Sequence, residues 1–276
     1  MTCFYSRSFG FSTYMSNPLS PTLAAQLAEV PRGNTQKNVN RAVLADLLTH
    51  EAARLGRPGL RWLDAPCGEG EFLTQVRRFF PQADLSGTDV RPAAPAVPGP
   101  PVHYQVADLS QAVPFAAAPP FEVLTSISGI MCFANTAQFI AGCAQRLQPG
   151  GLLLVSNDNC LTVRDRLSYL FSGRVRRFKL LFEPHEGNFQ LVQHQELKRL
   201  FDVNGIELKR VVYTAFYTED LLYLPLALLL WPWQWWQLRR ARSSTSQALR
   251  RQLFGFKSLL YRHYFFVGEK ISATYA

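Results

Sequence analysis

The chain has 276 residues, 47% hydrophobic and 18% charged, which is enough for one full α/β core and too apolar for a disordered chain. Its net charge of +9 is uneven: 11 basic and 11 acidic residues up to position 163, 10 and 6 from 164 to 210, then 8 and 3. The excess therefore lies in the C-terminal part, as a solvated basic face or as the mark of an anionic partner.

Five cysteines, Cys3, Cys67, Cys132, Cys143 and Cys160, form no CxxC pair. A disulfide framework and a zinc or other metal site are not expected, and a reducing, cytoplasmic compartment fits. The first twenty residues hold no apolar run of signal-peptide length, and Met15 is an alternative start.

In chain order, residues 18–31 and 38–55 have helical spacing, the second including "VNRAVLADLLTHEAARL". Short apolar strands then alternate with helices. "LRWLDA" is a strand and "EFLTQVRRFF" a helix. "ADLSGTDV" and "VHYQVAD" are strands that end in acids, separated by a Pro-rich loop over 91–101. "FEVLTSIS" and "GGLLLVSND" are the fourth and fifth strands, with the helix "NTAQFIAGCAQRL" between them, stopped by "QPGG". "QHQELKRLFDVNGIEL" runs from a helix into a sixth strand, "IELKRVVYTAF", and "YRHYFFVGEK" is the last strand. Strands alternating with helices predict a doubly wound, mostly parallel α/β sheet. Ligands of such sheets bind at the carboxyl ends of the strands.

The loop in "RWLDAPCGEGEF", residues 61–72, carries the first functional signal. Gly68 and Gly70 allow close backbone approach to a ligand, and the next helix presents free N–H groups to it. A dinucleotide fingerprint wants a third small residue where Leu73 stands. Asp64 beside the loop repels a pyrophosphate but suits a cationic ligand, such as a sulfonium that carries an ammonium group. Asp89 ends the second strand and Asp108 follows the third. Asp89 can accept both hydroxyls of a ribose, or cap the following turn. Asp108 can accept from a ligand, or close an Asx turn. Cys67 has no basic sequence neighbour to lower its pKa and reads as a packed loop residue.

With these residues in place, the chain resembles the class I S-adenosylmethionine-dependent methyltransferases. Their first motif, roughly "LDxGCGxGxF", is "LDAPCGEGEF" here, and their "LkPGGxLxxx" turn is "LQPGGLLLVSN". The likeness covers residues 60–158 in order and at normal spacing. It departs from the family at Pro66, which replaces the first glycine. It departs also at "SISGIMCFAN", which lacks the acid or His pair common after the fourth strand.

The resemblance implies a Rossmann-like, seven-stranded sheet whose last strand inserts antiparallel between the fifth and the sixth. It implies S-adenosyl-L-methionine as cofactor, lined by Asp64, Ala65, Pro66, Cys67, Gly68, Gly70, Asp89, Val90, Asp108, Leu109 and Ser126. Residues 1–36 are then an N-terminal, partly flexible extension and 37–276 the methyltransferase domain. Residues 159–190 form a lid over the acceptor, and His185 and Glu186 in it are candidate bases, the alternative being a surface loop. Arg164, Arg166, Arg174, Arg176 and Arg177 are candidates for an anionic group on the acceptor. His194 is expected to cap its helix or lie on its surface.

Residues 217–260 form an insertion before the last strand. In "LLYLPLALLLWPWQWW", residues 221–236, Gln234 is the one strongly polar side chain, and Arg239, Arg240 and Arg242 follow. Sixteen residues give about 24 Å of helix, short of the ~30 Å hydrocarbon core, and Pro225 and Pro232 are expected to interrupt it. A tryptophan cluster with a basic flank describes a monotopic contact with an anionic membrane surface, on the inner face of the membrane. The alternative is a helix buried on the core or a partner. The acceptor expected on this basis is a small molecule, hydrophobic or lipid-linked, methylated on oxygen. A membrane-associated scaffold with a retained cofactor fold is the rival reading. Nucleic acid is not expected, because the basic residues accompany an apolar helix and not a groove of stacking aromatics.

Overall fold

The computed structural model describes residues 19–32, 38–176, 178, 190–241 and 245–271. Two helices lead in, α1 (Pro21–Ala28) and α2 (Val39–His50), with a single turn, α3 (Ala52–Leu55), after them. The core follows as β1 (Arg61–Asp64), α4 (Glu71–Phe79), β2 (Asp84–Asp89), β3 (His103–Val106), β4 (Phe121–Ser126), α5 (Thr136–Arg146) and β5 (Leu147–Asp158). Then come α6 (Val163–Ser172), α7 (His194–Val203), β6 (Ile206–Thr214), α8 (Leu224–Arg240), α9 (Gln247–Leu253) and β7 (His263–Lys270). A 3-10 turn at Thr218–Tyr223 leads into α8, and another at Phe256–Leu259 follows α9.

The strands form one sheet in the order β3-β2-β1-β4-β5-β7-β6. β1 to β5 pair in parallel, and β7 runs antiparallel to both β5 and β6. Strand order reverses between β1 and β4, which opens the crevice that such sheets use for ligands. Both faces are covered, so the central strands read as near-continuous apolar runs. One face packs Phe139 of α5, Phe201 of α7, Tyr264 and Phe266. The other packs Leu44 and Leu47 of α2, Val76 of α4, Trp62 and Phe265.

The extension is partly part of the fold. Leu27 and Val30 are buried in the second cluster, and Arg41 of α2 donates to the carbonyls of Ala28 (2.6 Å) and Val30 (3.0 Å). The helix expected over 38–55 breaks at Glu51, whose φ of −127° is not helical.

Three further expectations change in the structure. Pro225 and Pro232 do not interrupt the insertion: α8 runs unbroken for 17 residues. Pro225 sits in the first turn, where a missing N–H costs nothing. Pro232 deprives the carbonyl of Leu228, a residue 56% exposed, so water can replace the lost donor. His194 is not on a surface: it is fully buried. It stacks on Tyr264 at 3.8 Å and its Nε2 faces the Tyr213 hydroxyl at 3.1 Å. Burial lowers its pKa to about 3, so it stays neutral. Arg166 is not available to an acceptor, since it donates to Gln234 Oε1 at 2.7 Å.

Candidate active site

The carboxyl ends of β1, β2 and β4 bring the loop and its acids together. Ala65 N donates to Thr125 O at 2.9 Å, Cys67 N to Thr88 O at 3.0 Å and Gly70 N to Cys67 O at 2.9 Å. These bonds fix the loop between three strands. The Ala65–Pro66 peptide is cis, and Gly129 after β4 packs on that proline. A Cβ at Gly129 would stand 2.3 Å from Pro66 Cδ. The replaced glycine of the motif is thus matched by a glycine across the cleft.

The two loop glycines do different work. Gly68 (φ +54°) faces open space, with no atom within 4 Å of where a Cβ would stand. Gly70 (φ +83°) instead admits the Pro-rich loop: its Cβ would meet Pro95 at 2.7 Å and Val97 at 2.9 Å. Gly68 is the glycine that leaves room for a ligand, while Gly70 closes the protein behind it.

Asp89 is 7% exposed. Its Oδ2 accepts from Gly68 N at 2.9 Å and its Oδ1 from Arg91 N at 3.2 Å. Both oxygens are therefore oriented at the mouth of the loop. Above them Arg91 Nη1 donates to Glu69 Oε1 at 2.8 Å, bridging the loop to the end of β2. Val90 is 66% exposed, an apolar surface next to the carboxylate.

Asp64 is 1% exposed. The Thr125 hydroxyl donates to its Oδ1 at 2.6 Å, and Trp62 Nε1 donates to Thr125 Oγ1 at 3.1 Å. Burial pushes the Asp64 carboxyl up to about 7. The Thr125 bond opposes that shift and the charge of Asp89 adds to it. A cation placed there would recover the ionised form. The Cys67 thiol is pushed up by burial and then by the charges of Asp64 and Asp89, so it is not a nucleophile.

The remaining residues expected to line the cofactor divide. Ala65 is buried in the loop and Leu109 joins the core beside Val113 and Phe115. Asp108 is exposed, and its Oδ1 accepts from Ser110 N at 2.9 Å, which is the Asx turn. Ser126 is fully buried, and its hydroxyl has no partner among the described residues. The hydroxyls of Thr88, Ser128 and Thr214, all at the same edge, are likewise buried and without partners there. Such atoms are rare in folded proteins.

His185 and Glu186 lie outside the described residues. The structure brings forward a different titratable pair. Asp158 ends β5 and His263 begins β7, directly paired across the strands. His263 Nδ1 lies 3.0 Å from Asp158 Oδ1, with His263 fully buried and Asp158 7% exposed. Thr214 of β6 pairs with His263 from the other side. No single stretch of sequence announced this pair. Its signal was the antiparallel last strand, which carries the start of "HYFF" to the carboxyl edge. Among the described residues no group of His, Cys, Asp and Glu forms a metal site.

A mostly parallel sheet with a glycine loop, an acid at the end of β2 held by two backbone N–H groups and a buried acid suited to a cation together make a site that fits a cationic nucleoside. Residues 36–211 match the family model described as "Methyltransferase domain". The chain belongs to this family and is a class I S-adenosylmethionine-dependent methyltransferase. Solved structures agree on the fold. A SAM dependent methyltransferase from Archaeoglobus fulgidus has TM-score 0.50 and 12% identity, over 84% of this chain and 94% of that one. A Bacillus halodurans protein assigned as a methyltransferase has TM-score 0.51 and 14% identity, over 84% and 100%. Comparison with curated proteins gave no match.

The cofactor is S-adenosylmethionine, and the residues present fit it. Asp89 with the Gly68 loop suits the ribose, Val90 an adenine face, and Asp64 with the unpartnered Ser126 hydroxyl the methionine end.

Proposed function

We propose that this methyltransferase transfers its methyl group to an oxygen atom of a hydrophobic or lipid-linked small molecule. When bound, S-adenosylmethionine supplies a methyl group already activated on a sulfonium. The protein then has to orient the acceptor in line, exclude water and accept one proton.

The observation that carries the acceptor class is where the insertion leaves and rejoins the sheet. β6 ends at Thr214 and β7 begins at His263, a cross-strand pair at the same edge as the cofactor loop. Residues between them carry an exposed apolar surface on α8. An apolar acceptor could reach the edge along it.

The oxygen reading draws on the Asp158–His263 pair. A hydroxyl must lose its proton as the new C–O bond forms, and an imidazole oriented by a carboxylate is suited to take it. His263 is our first candidate for that role, with His185 and Glu186 as the second.

The test is transfer of labelled methyl from S-adenosylmethionine to hydroxyl and amine acceptors, each in a soluble and a lipid-linked form. The reading expects O-methyl product on the lipid-linked hydroxyls. Transfer confined to soluble amines would refute it.

A further inference from the structure

Among the described residues, ten of the fifteen exposed large apolar side chains lie on three pieces of chain that pack together: α6, the turn at Thr218–Tyr223 and α8. Tyr169, Leu170 and Phe171 belong to α6 and Leu221 and Leu222 to the turn. The other five lie on α8, whose two sides differ sharply.

At about 100° per residue, Leu228, Leu229, Pro232, Trp233, Trp235 and Trp236 fall within roughly 160° of one side. On the opposite side Ala227 and Gln234 are buried, and Leu230 and Trp231 pack on the small cluster of Val163, Leu259 and Leu260. Gln234 fixes this orientation. Its amide nitrogen donates to Phe254 O at 2.6 Å and Ser258 Oγ at 3.2 Å, while its oxygen accepts from Arg166. The helix is bolted to the protein by its polar residue and shows its apolar residues to the outside.

The exposed side has a direction. It is uncharged until the last turn, where Arg239 and Arg240 stand over Trp235 and Trp236 at 3.8 and 4.1 Å from the ring centroids. Trp233 stacks on Trp236 at 4.9 Å. α8 contains no acidic residue. No helix among the described residues is long and apolar enough to cross a membrane.

An open groove of about 370 Å³ lies between α6 and the turn, lined by Arg164, Leu167, Ser168, Phe171, Ser172, Arg176 and Tyr223. Arg176 is half-engaged. Its Nε donates to Asp165 Oδ1 at 3.0 Å, and its Nη2 has no partner among the described residues. Two guanidiniums and two serine hydroxyls beside Leu167, Phe171 and Tyr223 match a phosphate with an acyl chain attached.

We propose that α6, the turn and α8 form one docking surface for an anionic phospholipid bilayer. On it the Leu228–Trp236 side lies in the interface, parallel to the membrane, and the Arg164–Arg176 groove takes a lipid phosphate. Indole rings and arginines suit the headgroup depth, and the leucines the acyl boundary. A second copy of the chain fits less well. Two-fold contact through this side would bring Arg239 and Arg240 of both copies into an interface to which α8 contributes no acid. Vesicle binding and cofactor binding are read by separate assays, so docking is tested apart from acceptor chemistry.

The experiment uses the full chain and co-flotation with vesicles of phosphatidylcholine alone or with phosphatidylglycerol at a third of the lipid, at low and high salt. Tryptophan emission is read in parallel. Binding to the anionic vesicles with a blue shift is expected, weakened at least tenfold in Leu229→Ser/Trp233→Ser. Arg164→Gln/Arg176→Gln should lose the preference for anionic lipid while retaining S-adenosylhomocysteine binding. Folded wild-type protein that ignores anionic vesicles at low salt would overturn the proposal. So would a stable dimer that Leu229→Ser dissociates, because the surface would then be covered by a second copy. If vesicles bind and no lipid-linked hydroxyl is methylated, the docking surface stands and the acceptor reading falls.

Discussion

Thr125 donates its hydroxyl proton to Asp64 at 2.6 Å inside a pocket that leaves the acid 1% exposed. The bond satisfies one carboxylate oxygen, yet burial still outweighs it and the carboxyl rises to about 7. The protein therefore keeps a buried acid beside the glycine loop whose charge is easiest to hold when a cation is bound.

That relationship gives a pH dependence. The ligand-free pKa lies near 7 and a bound ammonium or sulfonium lowers it, so cofactor affinity is full above about pH 7. It falls as pH drops, by up to about tenfold per unit. Calorimetric titration at pH 6 and pH 8 reads this directly, with proton release on binding at pH 6. Equal affinity at both pH values would contradict it.

Folding carries the opposite sign. The folded pKa of Asp64 lies above the unfolded one, so its contribution to ligand-free stability declines as pH rises from about 4 to about 7. Asp64→Asn is expected to stabilise the ligand-free protein at pH 8, on the order of 2–4 kcal/mol as an upper range. It should also weaken cofactor binding. Urea unfolding of both proteins at pH 8 measures the first effect.

Asp89 holds the loop, and we propose that its carboxylate also takes the ribose hydroxyls. Asp89→Ala should cost about 10–100-fold in cofactor affinity, the value of one or two hydrogen bonds to a charged group. An unchanged dissociation constant would remove the ribose assignment.

His263→Ala is expected to lower kcat for a hydroxyl acceptor by about 10²–10⁴-fold, with cofactor affinity intact. His185→Ala measured beside it separates the two candidate bases. If His185→Ala loses the activity and His263→Ala keeps it, His263 is not the base.

Gln234→Leu leaves Arg166, whose pKa burial lowers, without its side-chain acceptor, and Phe254 O and Ser258 Oγ without the Gln234 donor. A loss of about 2–3 kcal/mol is expected, or roughly 4–12 °C in Tm for a chain of this size. Scanning calorimetry checks it.

Much of this was legible in the sequence. Alternation of strands and helices located all seven strands, and the ordered motifs put Asp64, Gly68 and Asp89 at one edge. Three things escaped. The distinct work of Gly68 and Gly70 depends on where Pro95 and Val97 return to the loop, a contact between segments that no local pattern encodes. The Asp158–His263 pair joins residues 105 positions apart. It needs the antiparallel register of β7, which shifts every side chain if misjudged by one residue. The continuity of α8 through Pro232 was misread because proline was weighed as a local breaker, whereas packing and the Gln234 bonds hold the helix.

The most direct test of the central claim is calorimetric titration of wild type and Gly68→Val with S-adenosylmethionine, S-adenosylhomocysteine and NAD. Circular dichroism would confirm that the variant is folded. A side chain at Gly68 meets no protein atom within 4 Å, and at φ +54° it also strains the loop, so the variant both fills ligand space and distorts the cradle. Binding of both sulfur ligands to wild type, lost in Gly68→Val, with none for NAD, is the predicted result. Binding of NAD alone, or sulfur-ligand affinity unchanged in the variant, would contradict the assignment of this loop.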